Sequence, residues 1–380
     1  MRQTFRVVLT GGGSGGHVYP LIAIAEDLQR LAAEYNFDLE IKYYGPSDEY
    51  NNLFAGLKIR TSNIVSGKLR RYFSVANIFD VPKFFVGLIQ ALFKIYWFMP
   101  DVVFSKGGTG ALSVVLASRF YRIPIMIHES DATPGLNNLL SGRFAKRIAV
   151  TFESALAYFN PKKTAVTGTP VRRELTVDRV SKERAKEELG FNAGEPLTLI
   201  LGGSLGSERI NEFILANLEN LVKETQILHQ TGQANLRNVE KLSRAAMMNI
   251  PLRTEIKSRY LPVSYLMNEK LKNAFTAADL VISRAGSGTI SEIAAFGVPA
   301  ILIPLRESAG NHQRLNAYEY GKTGAAIVIE EENFLPGIFM NQVRAILKNP
   351  DVMEKMSQAS IKFFKPDAAR IIAEEILRIA

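Results

Sequence analysis

Val281–Pro304 reads VISRAGSGTISEIAAFGVPAILIP. Two short apolar runs bracket it, a glycine turn follows the first, and apolar residues at helical spacing fill the middle. The order is buried strand, turn, helix, buried strand. Continuously apolar strands of this kind belong to parallel sheets covered on both faces. The helix is expected to be capped near Ser287 or Thr289, which leaves the N–H groups of its first turn facing whatever sits at the loop. Such a helix start attracts anions through those donors and through its dipole. Glu292 lies one turn in, at a distance from which a carboxylate meets the hydroxyls of a ribose. The stretch from Ser287 through Gly288, Thr289, Ile290 and Ser291 to Glu292 therefore reads as a seat for a nucleotide diphosphate and its sugar. Thr289-x-x-Glu292 also has a purely structural reading, as a capping box.

Working outward, the same pattern recurs. Asp101–Phe104 is an apolar strand followed by Ser105-Lys106-Gly107-Gly108-Thr109-Gly110, the helix Ala111–Phe120 and the strand Ile123–Ile127. Ser-Lys-Gly-Gly-Thr-Gly and Ser-Arg-Ala-Gly-Ser-Gly thus follow equivalent strands and precede equivalent helices, so the chain reads as two similar α/β halves. Each half also opens on a strand and a glycine loop. Phe5–Leu9 leads into Thr10–His17 and a helix over Pro20–Leu31, and Leu197–Leu201 leads into Gly202–Ser207 and a helix through Asn211. Strand, glycine loop, helix is the opening of a Rossmann-like unit. The expected fold class is α/β, with two Rossmann-like domains facing across a cleft. The first domain is expected over 1–168, the second over 169–365, and an amphipathic helix over 366–380 is positioned to pack back on the first.

Composition limits what the halves do. The 380 residues suffice for two domains, and 47% apolar with 22% charged residues fits a packed globular chain. The absence of cysteine excludes disulfides, thiolate metal sites and thiol nucleophiles, and fits a reducing cytoplasm. The opening MRQTFRVVLTGGG passes straight into a strand and lacks the pattern of a signal peptide. The net charge of +9 points to an anionic partner. No nucleic-acid module is recognisable, which leaves phosphorylated substrates and an anionic membrane surface.

The membrane reading rests on residues 68–99. Lys68, Arg70 and Arg71 precede FSVANIFDVPKFFVGLIQALFKIYWFM, Phe73–Met99. Lys83 and Lys94 interrupt the apolar run before it reaches the ~20 residues that a bilayer needs. One reading is a buried core helix. The other is an interfacial helix, with Phe84, Phe85, Leu88, Phe93, Trp97 and Phe98 dipping into lipid and the basic residues meeting headgroups. Both hold if one face packs on the domain.

Several polar residues are candidates for chemistry. His17 follows the first glycine loop, where a helix start disfavours the imidazolium and keeps the ring able to accept a proton. That suits the general base for an alcohol. His128-Glu129-Ser130-Asp131 ends a strand at the edge where open α/β sheets bind ligands, and Glu129 is the second candidate for the base. Asp131 also suits a helix cap. Ser204 is a donor to phosphate oxygens, the strand over Ser258–Pro262 offers backbone groups to a base, and Gln313 offers donor and acceptor to sugar hydroxyls.

Together these motifs carry a resemblance. TGGGSGGHVYP at Thr10–Pro20, HESDATPGLNN at His128–Asn138, GTPVR at Gly168–Arg172, GGSLG at Gly202–Gly206, RAGSGTISEIAAFGVPAILIP from Arg284 and the later NHQRLNA make the chain resemble the MurG family nearly throughout. Members of that family are UDP-N-acetylglucosamine:undecaprenyl-diphospho-muramoylpentapeptide N-acetylglucosaminyltransferases of GT-B fold. The resemblance implies inverting transfer of GlcNAc from UDP-GlcNAc to the C4 hydroxyl of the lipid-linked muramoyl acceptor. This is the step from lipid I to lipid II, at the cytoplasmic face of the bacterial membrane, without cofactor or obligatory metal. It implies that Ser14, Gly15, Gly16 and His17 line the acceptor side, with Asp131 at a sugar contact. Arg172, Ser204 and the Ser287–Glu292 loop would hold the donor, with Glu292 on the ribose, Gln313 on the sugar and Leu261 backbone groups on uracil. The family's aromatic-basic membrane patch falls on 73–99.

Three positions depart from the pattern: Asp131 and Thr169 stand where asparagine is usual, and Leu205 where glutamine is usual. Asp131 accepts but does not donate, and Leu205 removes a polar group near the phosphates. On the residues, two other readings stay open: a related transferase with another UDP-sugar or lipid acceptor, and a non-catalytic nucleotide-sugar-binding protein.

Overall fold

The computed structural model describes residues 4–46, 50–67, 76–203, 206–248 and 259–380. The chain divides into two compact units, one of residues 1–172 with 365–380, the other of residues 173–364.

The first unit is built on a seven-stranded sheet of β1 (Thr4–Gly12), β2 (Asp38–Gly45), β3 (Arg60–Asn63), β4 (Val102–Gly108), β5 (Ile125–Glu129), β6 (Arg147–Val150) and β7 (Thr164–Val166). Its order is β3-β2-β1-β4-β5-β6-β7, and every pairing is parallel. The apolar runs read from the sequence become the central strands because helices cover both faces. Val7 and Leu9 face one side and Val8 the other, and all three are fully buried. β3, whose sequence is Arg-Thr-Ser-Asn, is an edge strand held by its ladder to β2.

The second unit repeats the plan with six strands: β8 (Leu197–Leu201), β9 (Gln226–Gln230), β10 (Tyr260–Val263), β11 (Leu280–Ser283), β12 (Ala300–Leu302) and β13 (Ala326–Val328). The order is β10-β9-β8-β11-β12-β13, again parallel throughout. Counted from its first strand, each sheet runs 3-2-1-4-5-6, and the first adds a seventh strand beyond the sixth. The order reverses beside β1 in the first and beside β8 in the second, and ligands of such sheets bind outside the strand carboxyl ends at that reversal. β4 and β11, which carry the paired Ser-(Lys/Arg) motifs, occupy equivalent places in the two sheets. The fold is thus two Rossmann-like domains.

The helix Ala368–Ile379 belongs to the first unit. Ile372, Ala373, Ile376 and Ile379 share a core with Leu21, Ile24, Leu28 and Phe104. Arg370 grips Glu34 with both terminal nitrogens at 3.1 Å, and Arg147 Nε meets Glu375 at 2.7 Å. Residues 169–172 are also held here rather than in the second unit. Thr169 shares a hydroxyl bond of 2.7 Å with Thr151, and the Arg172 guanidinium lies 4.2 Å from the centre of the Tyr19 ring.

The aromatic stretch forms one helix, Ala76–Phe98. Among the described residues, its Asp80–Phe98 segment is long and apolar enough to cross a membrane by length and composition. One of its faces is fastened to the domain. Ala91, Ile95 and Phe98 are buried with Val8, Val103 and Ile125, Lys94 Nζ donates to Asn63 O at 3.0 Å, and Gln90 Oε1 accepts from Val65 N at 2.9 Å. Phe98 therefore faces inward, edge-on to Tyr44, and does not reach lipid as the sequence suggested. Phe84 and Leu88 are half-buried. The opposite face bares Phe85, Ile89, Phe93 at 63% and Trp97 at 81% exposure. Lys68, Arg70, Arg71 and Phe73 lie outside the described residues.

Candidate active site

In the first unit three loops converge by strand order at the carboxyl ends of β1, β4 and β5. The first is the glycine loop running into the helix Gly15–Tyr35. Ser14 precedes that helix in extended conformation and makes no side-chain cap, while its carbonyl accepts from His17 N at 3.0 Å. The helix thus starts earlier than Pro20, and His17 stands in its first turn, half-buried, with Ser14 and Gly16 exposed and Gly15 buried. Pro20 lies inside this helix and, lacking an N–H, leaves out the bond to Gly16 O that its position would otherwise make. The β4 loop presses against the ring. Gly108 has φ +84°, and a Cβ there would lie 2.3 Å from Gly12 O and 3.0 Å from His17 Cδ2, so glycine is what lets the backbones approach.

The third loop is organised by Glu129. Its carboxylate accepts from Asp131 N at 2.9 Å, Gly135 N at 3.1 Å and Asn138 Nδ2 at 3.0 Å. Burial, and next the Asp131 charge, raise its pKa above the usual carboxylate range. With these three donors Glu129 ties the turn after β5 to the start of the following helix. His128 is fully buried and its Nε2 faces Gly168 O at 2.9 Å. Burial, then the Lys106 charge, hold its pKa well below 6.5, so it is neutral and donates from Nε2. Asp131 is half-buried.

In the second unit the helix Ser287–Phe296 begins at the carboxyl end of β11. Its cap is Gly286, in extended conformation and without a side-chain bond. The sequence pattern places the cap at Ser287 or Thr289. The shift arises because Gly286 O already accepts from Ile290 N at 2.9 Å, which brings Ser287 into the helix. Thr289 is consequently helical, and the capping box with Glu292 does not form at this start. Helix geometry leaves the N–H groups of Ser287, Gly288 and Thr289 without intrahelical partners. Ile290 is buried, Ser291 Oγ is spent on Ser287 O at 2.8 Å, and Glu292 is half-buried one turn in.

Gln313 stands in the first turn of the helix His312–Gly321, its Oε1 accepting from Leu305 N at 3.1 Å. Leu261 is 39% exposed on β10, the edge of the sheet. Arg172 belongs to the first unit, whereas these other donor candidates belong to the second. Ser204 and Leu205 lie outside the described residues.

Three residues of this region do not stand out from the sequence. Arg284 follows β11 and is buried. It donates to Ser207 Oγ at 2.8 Å and Ile303 O at 3.2 Å, and it pairs with Glu331 at 2.5 Å. Glu331, 3% exposed at its side chain, also pairs with Arg209. Asn316, fully buried, donates to Ala285 O at 3.3 Å and so steadies the turn before the helix. Arg284 and Asn316 sit inside motifs quoted above; their partners, distant in sequence, are what gives them a role. A cavity of about 570 Å³ opens here, lined by Ser207, Arg209, Asn235, Arg284, Leu305 and Glu331 among others. Among the described residues no group of three or more His, Asp or Glu side chains is arranged to hold a metal.

Known proteins show the same division. Residues 7–150 match the glycosyltransferase family 28 N-terminal domain and residues 197–372 the family 28 C-terminal domain. The chain belongs to glycosyltransferase family 28. It is 36% identical over 360 residues to the UDP-N-acetylglucosamine--N-acetylmuramyl-(pentapeptide) pyrophosphoryl-undecaprenol N-acetylglucosamine transferase of Clostridium tetani, covering 94% of each chain. It is 38% identical over 349 residues to the protein of the same name from Clostridium botulinum strain Alaska E43, covering 91% of this chain and 90% of that one. A crystal structure of Acinetobacter baumannii MurG superposes with a TM-score of 0.74 at 25% identity, over 98% of this chain and 99% of that one. A UDP-GlcNAc 2-epimerase from Neisseria meningitidis shares the fold, with a TM-score of 0.70 at 13% identity over 99% of this chain and 100% of that one.

Proposed function

We propose that this protein transfers N-acetylglucosamine from UDP-GlcNAc to the C4 hydroxyl of MurNAc-pentapeptide pyrophosphoryl-undecaprenol. The observation that carries the reading is the similarity to the Clostridium tetani transferase, which runs through both units at 36% identity over 94% of each chain. The second unit takes the donor. The first-turn amides of Ser287, Gly288 and Thr289 meet the diphosphate, and Glu292 accepts from the ribose hydroxyls. Gln313 keeps Nε2 for the sugar, since its carbonyl oxygen is engaged by Leu305. Leu261, on an edge strand, offers backbone groups to uracil. Ser204 donates to a phosphate oxygen.

The first unit takes the acceptor on Ser14, Gly15, Gly16 and Asp131, and His17 removes the proton of the attacking hydroxyl. A helix start disfavours the charged imidazolium, the form that cannot act as a base. The oxygen attacks C1 from the face opposite UDP, so the anomeric centre inverts, and the donor-side amides stabilise the charge that builds on the departing diphosphate. Arg172, its guanidinium over the Tyr19 ring, contributes its charge to holding the donor.

The bared face of the helix Ala76–Phe98 rests on the cytoplasmic surface of the membrane, with aromatic residues at headgroup depth. This fits a peripheral protein working on a lipid-anchored substrate. Transfer of labelled GlcNAc to a short-chain lipid acceptor tests the scheme. Turnover with this pair and inversion at C1 are expected. Failure with this pair, while another UDP-sugar or acceptor reacts, would overturn it.

A further inference from the structure

Tyr19 has no task of its own in the transfer scheme. It lies half-buried in the helix Gly15–Tyr35, two residues past His17. Its ring rests against the start of that helix, where a Cβ built on Gly15 would lie 2.9 Å from Tyr19 Cε2 and 3.4 Å from Tyr50 Oη. Glycine at position 15 is what lets the ring lie there. Tyr50 braces it edge-on, the ring centres 5.9 Å apart at 79°. Over the ring lies the Arg172 guanidinium, its Cζ 4.2 Å from the ring centre, on a residue only 5% exposed. The backbone leading to Arg172 is pinned separately. Gly168 O accepts from His128 Nε2 at 2.9 Å, Thr169 bonds Thr151, and Thr167, Gly168, Thr169 and Pro170 are all buried. Tyr19, Tyr50 and Arg172 all belong to the first unit.

A long side chain rich in rotamers is thus held at both ends before any ligand arrives, which removes an ordering cost from binding. The manner of holding matters as well. A cation within about 6 Å of a ring centre is attracted by the negative face of the ring, and more strongly where water is excluded. This contact spends none of the guanidinium N–H donors. Unlike the carboxylate that meets Arg284, it also brings no negative charge beside the cation. It fixes the arginine and leaves it suited to phosphate oxygens. We propose that Tyr19 is a positioning residue for the nucleotide sugar: its ring face holds Arg172 where the guanidinium meets the anionic donor. The inference rests on the reading that Arg172 helps to hold UDP-GlcNAc. Tyr19 acts through Arg172 and need not touch that molecule.

The test measures UDP-GlcNAc affinity by calorimetry in Y19F, Y19L, R172M and the double variant Y19L/R172M. Y19F keeps the ring face and is expected to bind within about twofold of wild type. Y19L removes the face and is expected to bind about fivefold to thirtyfold more weakly, the size of a desolvated cation–π contact. In the R172M background the same Y19L change is expected to cost less than about twofold, because its partner is gone. If Y19L does not fold, phenylalanines carrying one, two and three ring fluorines at position 19 decide the matter. Each fluorine draws charge from the ring face at nearly constant shape, so affinity should fall stepwise, which a packing role alone would not produce. Wild-type affinity in Y19L, a Y19F as weak as Y19L, a level fluorine series, or a Y19L loss that is the same with and without Arg172 would overturn the proposal. A wild-type protein that ignores UDP-GlcNAc would instead overturn the donor reading, and this inference with it.

Discussion

At the ends of β1, β4 and β5 the first unit strips water from its ionisable groups; at the ends of β8, β11 and β12 the second pairs them. His128, Glu129 and Lys106 are buried, and burial is the largest cause of the shift in each. Arg284 and Glu331 are buried too, but they meet directly, with Ser207, Ile303 and Arg209 as further partners. Asp279, before β11, is similar. Burial alone would raise its pKa, but the charge and hydrogen bonds of Lys182, the Leu197 amide and Lys186 outweigh that and hold it below 3.8. The strand order is shared, so topology does not set the difference. In the proposed scheme the chemistry of each unit does, because a base must stay neutral and exchange its proton readily, whereas a seat for a diphosphate must be fixed.

The comparison breaks first at His17. His17→Ala should lower kcat by about 10²–10⁴-fold while UDP-GlcNAc affinity, measured by calorimetry, stays within a few-fold. An equal loss of both would mean that the two units do not divide the labour. Next, Arg284→Met should leave the buried Glu331 side chain with only Arg209 of its two arginine partners. A loss of about 3–5 kcal/mol in urea unfolding of the second unit is expected, with weaker UDP binding. Glu292→Gln should weaken UDP binding by about tenfold to a hundredfold, since it removes a charged acceptor from the ribose. Its change in Tm should be small beside that of Arg284→Met, because Glu292 is half-buried where Arg284 is enclosed.

Acid acts on both units, through one buried histidine in each. His128 has a folded pKa well below 6.5, so as pH falls the unfolded chain binds that proton first. The stability His128 contributes is full above about pH 6.5 and is lost as pH drops below it, at up to about 1.4 kcal/mol per pH unit. Glu129, raised above 4.5, returns part of this at lower pH because there the folded state binds the proton first. Asp279, held below 3.8, keeps its contribution until pH falls past about 4 and loses it as pH approaches the folded value. His229 on β9 is likewise buried and held down to about 3, so acid withdraws the same kind of contribution from the second unit; in an acid titration followed by hydrogen exchange, His128→Asn should relieve the first unit and leave the second unchanged. Smallest in stability is Trp97→Ser, expected within about 0.5 kcal/mol because the ring is exposed, yet it should reduce sedimentation with anionic vesicles.

Much of this is legible in residue order. The strands Val7–Leu9, Leu197–Leu201 and Val281–Ser283 are apolar and β-branched, and the glycine loops after them mark the reversal points of both sheets. β3 carries no such signal, because an edge strand of Arg-Thr-Ser-Asn has no apolar pattern and is held by its neighbour's ladder. Phe98 reads as a lipid anchor because composition does not say which helix face meets the sheet. At the sites, His17, Glu292 and Gln313 stand out by type and spacing. Lys106 and Arg284 are spelled out in the same motifs, yet their meaning depends on Ser130 and Glu331, which only the tertiary fold brings to them.

The helix Ala368–Ile379 completes a core that begins at Val7, so the second unit is an insertion within the first. During synthesis, Arg173–Phe364 can fold as soon as it has emerged, whereas the earlier-made sheet waits for Ile372 and Ile376 before its last hydrophobic gap is filled. The half made first is thus the half finished last, and a chain ended before residue 372 would carry a complete second unit and a first unit whose core is still open.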